Sequence, residues 1–419
     1  MKIRTIILGI SALLMLSSCG DFELLSTAKG KFSGGFGSQT DPYIIKTTED
    51  LLMIKDYSDR YFKLEADIDL AEKEWPKMDL SGHIDGNGHT ISNLTISQAG
   101  DTLGFVSCLT GTIKNLTISG IYINAGASDY VGGFAGYVLE GEIENCTLLL
   151  NESSKILGNE AVGGIAGYID RTSEEGKFIG NTVKSGSTGY VISGSCLVGS
   201  MAGGAYNEIE FVNCHAAVNI YGGNLVGGII GRSYCGNPMT NCSYSGNIYG
   251  VKFVGGLCGR ENSCTYTTNY YGCKVDATVT AKEGFVGGME ACDTYSKVSH
   301  YYGCYANGKV ICENDNAGHV SGFTHNCTTE FCFSTMTSDH PFFYAFGAEV
   351  NATDCASVAP SPGNDYTSCD RSCTNIVEFL QSCYSEYADY FNFANTWTWA
   401  GYINDEFVNV QCPKLSWEL

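Results

Sequence analysis

The strongest constraint on this chain is a short pattern that it repeats: an apolar residue, two glycines, two mostly apolar residues, a further glycine. "YVGGFAG" (130–136), "AVGGIAG" (161–167), "LVGGIIG" (225–231) and "FVGGLCG" (253–259) carry it whole, and "FVGGMEA" (285–291) carries its first half. The paired positions are Gly132–Gly133, Gly163–Gly164, Gly199–Ser200, Gly227–Gly228, Gly255–Gly256 and Gly287–Gly288, with weaker copies around Gly104 and Gly322. Eight copies at intervals of 28 to 36 residues are self-similarity of the kind that marks a solenoid or a propeller.

A second element keeps the same period. An Asn–Cys or Gly–Cys pair follows the glycines in "ENC" (144–146), "VNC" (212–214), "TNC" (240–242) and twice in "YYGC" (270–273 and 301–304); "IGN" (179–181) lacks the cysteine. Apolar alternation follows, as in "CTLLLN" and "CKVDATV". Each unit therefore holds about three short strand-like runs, too few for a four-stranded propeller blade, and fits one coil of a parallel β-helix. Gly and Asn suit its corners because they tolerate positive φ. Coils stack about 4.8 Å apart, so Val131, Val162, Val226, Val254 and Val286 are expected to form one ladder in the core. Cys258 takes the slot held by Ala135, Ala166, Ala202 and Ile230 in other units, which makes it a small core residue.

The ends depart from the repeat, as caps of a solenoid must. "TTEDLLMIKDYS" (47–58) reads as a helix with Thr47 as N-cap and Asp50 as its capping partner. "RYFKLEADIDL" (60–70) reads as strand and "GHIDGNGHTISNLTI" (82–96) as a turn-rich strand pair. After about 335 the repeat fades; 373–391 has helical spacing, and "NTWTW" (395–399) with "CPKLSWE" (412–418) are expected to seal the last coil. At the other end, Lys2 and Arg4 precede the apolar run Ile6–Leu16, too short to span a bilayer. The expected organisation is a leader (1–18), a flexible tether (19–41), an N-terminal cap with first coils (42–100), a repeat body (101–335) and a Cys-rich C-terminal cap (336–419).

Two resemblances follow from these residues. "LSSC" (16–19) resembles the lipobox of bacterial lipoproteins, which implies cleavage before Cys19 and lipidation of its thiol. The glycine repeats look like GLUG motifs. The segments within 41–118 resemble the unit that precedes such repeats in bacterial surface proteins, and "TWTW … CPKLSWE" resembles their closing strand. Together these are most like Bacteroidota surface lipoproteins. The resemblance implies an all-β, right-handed parallel β-helix with short helical elements in its N- and C-terminal caps. It also implies a chain held to outer-membrane lipid through Cys19 and exposed at the cell surface. The dense cysteines of 355–383 depart from the family pattern.

Composition narrows the partners. A net charge of −21 argues against nucleic acid, whose binders need a cationic face. "ENDN" (313–316) lacks the spacing of a calcium loop. His319, His325, Cys327 and Cys332 cluster, but not at a common zinc spacing. No G-x-S-x-G, H-E-x-x-H or P-loop occurs, so no cofactor, metal or catalytic residue is assigned. Asp85, with His83 and His89 nearby, is the tempting acid, yet "DGNG" is ordinary turn chemistry. Comparing equivalent positions on successive coils yields no stacked pair of acids of the kind a glycosidase needs.

Of 20 cysteines, Cys146, Cys214, Cys242, Cys273 and Cys304 share one repeat position. Their parallel Cβ vectors, one rung apart, favour a packed thiol ladder over bridges, which would need the coils drawn together. Cys235 and Cys264, in loops of neighbouring coils, are the best disulfide candidates. The expected function is a non-catalytic, lipid-anchored surface protein that binds a host or neighbouring-cell glycan or protein through its rod. The alternatives are a carbohydrate-active enzyme on the same scaffold and a passive spacer.

Overall fold

The computed structural model describes residues 32–171, 176–262, 267–291, 299–314, 319–321, 324, 326–330, 332–338, 343–344, 349–353, 356–357, 391–403 and 406–415. Up to residue 357 they form a parallel β-solenoid, with one short α-helix near its start. One coil shows how it is wound. Val131–Gly132 belongs to a twenty-two-stranded sheet, Ala135–Leu139 to a six-stranded one and Glu142–Glu144 to a twelve-stranded one; Thr147–Leu150, Lys155–Leu157 and Glu160–Gly163 then return to the first. Twelve rungs at the usual strand spacing give a stack roughly 50 Å tall.

The core follows from alternation read vertically. Ile84, Ile113 and Ile143 stand in register on the twelve-stranded sheet, each completely buried, with half-exposed residues on either side of them in sequence. The valine ladder is present: Val131, Val162, Val198, Val226, Val254, Val286 and Val320 pair one above another. Cys258 sits buried above Ala135, Ala166, Ala202 and Ile230, as its slot in the repeat requires.

The glycines make the corner between the twenty-two- and six-stranded sheets, but not through positive φ. That conformation falls on other residues: those before Val131, Val162, Val198 and Val226 (Tyr130, Ala161, Leu197, Leu225), and Asn115, Asn145, Asn213, Asn241, Gly180, Gly272 and Gly303 at the Asn/Gly–Cys corner. The double glycines are instead demanded by contact. A Cβ on Gly132, Gly163, Gly227 or Gly255 would lie 1.9–2.2 Å from a carbonyl oxygen three residues on. A Cβ on Gly133, Gly164, Gly228 or Gly256 would lie 1.9–2.4 Å from a carbonyl oxygen of the next coil. Backbone packs on backbone here; where Ser200 takes the second slot, its hydroxyl donates to Gly228 O of the next coil.

Both ends differ from expectation. The folded body begins by Phe32, inside the segment expected to be tether: Phe32 is buried and stacks on Tyr43 at 4.2 Å. Burying the ring requires the backbone that carries it to be ordered. The helix Thr48–Met53 is capped as expected, with Thr47 and Asp50 bonded reciprocally. The buried Asp50 carboxylate also accepts from Ser33 N (3.0 Å), Ser33 Oγ (2.7 Å) and Lys46 N (3.0 Å), tying the chain's entry to the helix. In 82–96 the strands His83–Asp85, Thr90–Ser92 and Thr95–Ile96 pair with neighbouring coils and not with each other.

At the far end parallel pairing runs past 335, through Phe343–Tyr344, Glu349–Thr353 and Ala356–Ser357. Ladder hydrogen bonds do not need the glycine motif, so the repeat can fade while the coil continues. Phe391–Ile403 and Glu406–Leu415 form an antiparallel two-stranded sheet of their own, rather than a continuation of the last coil. Antiparallel strands close through a short connection, whereas a parallel rung needs a whole coil. The helix expected over 373–391 lies outside the described residues, except for Phe391, which opens a strand.

Candidate functional site

The outer face of the twelve-stranded sheet carries two columns at the N-terminal end of the solenoid. Register places Tyr61, His83, Thr112 and Glu142 in one, and Lys63, Asp85, Lys114 and Glu144 in the other. Between them and Gln39 lies an open groove of about 540 Å³. Tyr61 and His83 stack with centroids 4.4 Å apart at 25°, making a flat aromatic floor. The second column alternates in sign, and Lys114 Nζ approaches Asp85 Oδ2 at 3.8 Å. Exposed cross-strand pairs of this kind contribute only a few tenths of a kcal/mol each. The face therefore offers donors and acceptors to a ligand without sacrificing much stability.

Asp85 has a structural duty as well. Its Oδ1 accepts from Asn87 N at 2.9 Å and from Asn115 Nδ2 at 3.1 Å, holding the turn that Asn87 and Gly88 make with positive φ. His89 turns away to Asp67, with Nδ1 3.1 Å from Oδ1. Hydrogen bonds from the Thr90 amide and His89 hold the Asp67 carboxyl below its ordinary range. His89 thus lies apart from the face that His83 and Asp85 share.

Comparison of equivalent positions missed Glu142 and Glu144, because the two acids lie on one strand rather than on adjacent coils. Flanking the buried Ile143, they share the outer face, and two residues of strand separate them by about 6.5–7 Å. The E-I-E alternation was the available signal. That is a Cα spacing, from which the two side chains can bring their carboxylates into the range that admits a water between them. Glu142 Oε1 lies 4.0 Å from Arg171 Nη1.

The cysteine column is a thiol ladder. Cys146, Cys214, Cys242, Cys273 and Cys304 are buried and unbridged. Cys214, Cys242, Cys273 and Cys304 each donate to a carbonyl on the coil below, at 3.2–3.4 Å. Cys332, which its spacing grouped with His319, continues the column and donates to Tyr301 O at 3.3 Å. Asn181 stands in the gap left by "IGN", where it accepts from Cys146 N and donates to Ile143 O, satisfying what the thiol would have. Burial pushes the Cys146 thiol up to about 12 and holds Cys214 and Cys242 well above the ordinary thiol range.

Cys19, Cys264 and His325 lie outside the described residues, so neither the lipid site nor the Cys235–Cys264 pair is seen. Among the described residues no helix is long and apolar enough to cross a membrane. Elsewhere on the outer surface, Tyr190, Tyr221 and Tyr249 form a row with centroids 5.9 and 5.6 Å apart, and Tyr190 and Tyr221 are 49% and 44% exposed.

No family model matches the chain. Over 98 residues, 23% of its length, it is 39% identical to "Halomucin" of Haloquadratum walsbyi, of which this covers 1%. Over 122 residues, 25% of its length, it is 31% identical to a "Putative Gly-rich membrane protein" of Evansella cellulosilytica, of which this covers 14%. The chain thus spans a small part of either relative. A solved structure described as a "putative immunoglobulin A1 protease" from Bacteroides ovatus aligns over 92% of this chain and 95% of its own, at 16% identity and a TM-score of 0.43.

Proposed function

We propose that this chain is a lipid-anchored envelope protein of the GLUG-repeat type that binds a glycan on the outside of its solenoid without cleaving it. One observation carries the reading: the groove in which the Tyr61–His83 floor lies beside a column of alternating Lys and carboxylate side chains. A sugar ring has apolar faces that stack on aromatic rings, and a rim of hydroxyls that needs both donors and acceptors. Lys63 and Lys114 supply donors; Asp85 and Glu142 supply acceptors. The exposed tyrosine row adds a second surface of the same character.

Placement at the outer membrane, through a lipid on Cys19, rests on the "LSSC" box. The names of the two partial relatives, a membrane protein and a mucin-like name, are in keeping with an envelope address. A globomycin-type inhibitor of lipoprotein processing is expected to leave an uncleaved precursor; normal maturation in its presence would remove the anchor from the account.

The binding claim is tested on a glycan and mucin panel with the full chain carrying Cys19→Ser. Saturable binding that Tyr61→Ala or His83→Ala weakens about tenfold, as loss of a stacking contact should, supports it. Absence of binding anywhere on the panel favours a passive spacer. A second reading has its own support, since Glu142 and Glu144 both line the same groove. If sugar reducing ends are released, and Glu142→Gln or Glu144→Gln stops the release, the chain is a carbohydrate-active enzyme.

A further inference from the structure

The outer face of the six-stranded sheet holds a second set of residues, on a different side of the solenoid from the groove. Register puts Tyr137, Tyr168, Gly204, Arg232 and Arg260 in one outward column. Tyr137 and Tyr168 stack at 5.7 Å and 18°, and Tyr130 meets both edge-on at 5.5 and 5.8 Å. Gly204 makes room for the Tyr168 ring, since a Cβ there would lie 2.7 Å from its Cε2. The two arginines then follow on adjacent strands, their Cα atoms about 4.8 Å apart.

The Arg232 guanidinium is unusual in this chain. Only six arginines occur in a sequence of net charge −21. Arg60 and Arg171 lie within 4.0 Å of carboxylates. Arg232 has no carboxylate within that distance; its guanidinium lies 4.2 Å above the Tyr234 ring, and its buried Nε has no hydrogen-bond partner. Arg260 stacks 4.7 Å over Phe253. Stacking fixes each fork before any ligand arrives and lowers the ordering cost of binding. The wall beside the column is apolar, built from Leu197, Leu225 and Phe253.

We infer that this column is a subsite for an acidic glycan: sugar faces lie on the tyrosines, and a uronate carboxylate is held by Arg232 and Arg260. A planar carboxylate matches the guanidinium fork in two parallel hydrogen bonds, which a tetrahedral sulfate ester cannot reproduce as well. Charge complementarity is local. It is confined to the arginine end, since at the tyrosine end Tyr137 Oη donates to Asp170 Oδ2 at 2.9 Å. The inference stands on residues separate from the groove and does not require the groove to bind.

The test uses the full chain with Cys19→Ser and three polymers: polygalacturonate, neutral dextran and dextran sulfate. Polygalacturonate is expected to bind more tightly than either of the others. R232Q and R260Q should each weaken that binding about tenfold or more, as loss of a charge-assisted hydrogen bond implies. R232K, which keeps the charge and loses the fork, should weaken it as well. Both arginines are half-exposed, and an unchanged thermal melt confirms that the variants fold. Tyr61→Ala in the groove should leave polygalacturonate affinity unchanged, so a failure here is separable from a failure of the groove. The inference is overturned if polygalacturonate does not bind, if the double variant R232Q/R260Q binds it equally well, or if dextran sulfate binds as tightly.

Discussion

The early and the later coils use one backbone frame and fill it differently. Up to about Leu150, the inward columns are Ile84–Ile113–Ile143 and Ile91–Ile118–Leu148, and Leu116 occupies the corner. From Cys214 onward the same positions hold Met239–Tyr270–Tyr301 and Ala216–Tyr244–Val275, with Cys242, Cys273 and Cys304 at the corner. Large rings in one column are offset by small thiols in the next, as conservation of core volume requires. The later interior also contains a carboxylate: Glu290 is buried and accepts from Ser299 Oγ at 2.8 Å and Tyr301 Oη at 2.9 Å. The difference separates what the frame demands from what it tolerates. Where backbones touch it takes glycine, or at most the serine of Ser200 and Ser321; within the core it accepts aliphatic, aromatic, thiol and even carboxylic side chains.

The sharpest way to break that distinction is at a demanded position. Gly227→Ala would place a Cβ 2.0 Å from Ile230 O and 2.5 Å from Gly259 N. Both are backbone atoms, so the coil must part; a loss of more than about 3 kcal/mol is expected in a urea titration. Gly88→Ala meets nothing within 4 Å and suffers only its φ of +80°, a cost of about 1–2 kcal/mol. Equal effects would show that the motif glycines are not there for contact.

Next comes a core residue of the early coils. Ile113→Ala is expected to cost about 3 kcal/mol through its cavity, and Cys242→Ala in the later column only about 1 kcal/mol. The buried thiols of Cys146, Cys214 and Cys242 should resist alkylation in the native chain and react once it is unfolded; labelling of the folded protein would show that the ladder is open.

The pH dependence near neutrality comes third and belongs to the later coils. Burial, then the nearby Glu261 charge, raise Glu290 to about 7 from an ordinary 4.5. A raised acid favours the folded state while protonated. Its contribution is therefore complete below the unfolded value of about 4.5 and is lost as pH rises through the folded value of about 7. Glu290→Gln should flatten the fall in melting temperature over that window; an unchanged slope would mean that another group carries it. The smallest expected effect is at the first cap, where Thr47→Ala should cost about 1 kcal/mol.

The period, the valine ladder, the slot of Cys258 and the capping box were legible because each is set by neighbours in sequence or by strict repetition. The reason for the glycines was not, because close approach of two strands is a contact between residues three apart in one coil and about thirty apart between coils. The end of the coil array was hidden for a related reason: parallel pairing through Ala356–Ser357 uses backbone groups that any residue carries. Phe32 was read with its polar neighbours as tether, yet one aromatic ring against Tyr43 is enough to hold the segment. The groove escaped notice because its columns exist only once register aligns Tyr61 with His83 and Asp85 with Lys114.

The central claim, binding without cleavage, is tested most directly by titrating the full chain carrying Cys19→Ser with the tightest uncharged glycan from the panel, which the arginine column should not hold. Heat of binding and free reducing ends should be followed in the same cell. Saturable heat with no new reducing ends, and loss of that heat in the Tyr61→Ala/His83→Ala double variant, is the expected result. Reducing ends that accumulate with time, or heat that survives the double variant unchanged, would contradict the account.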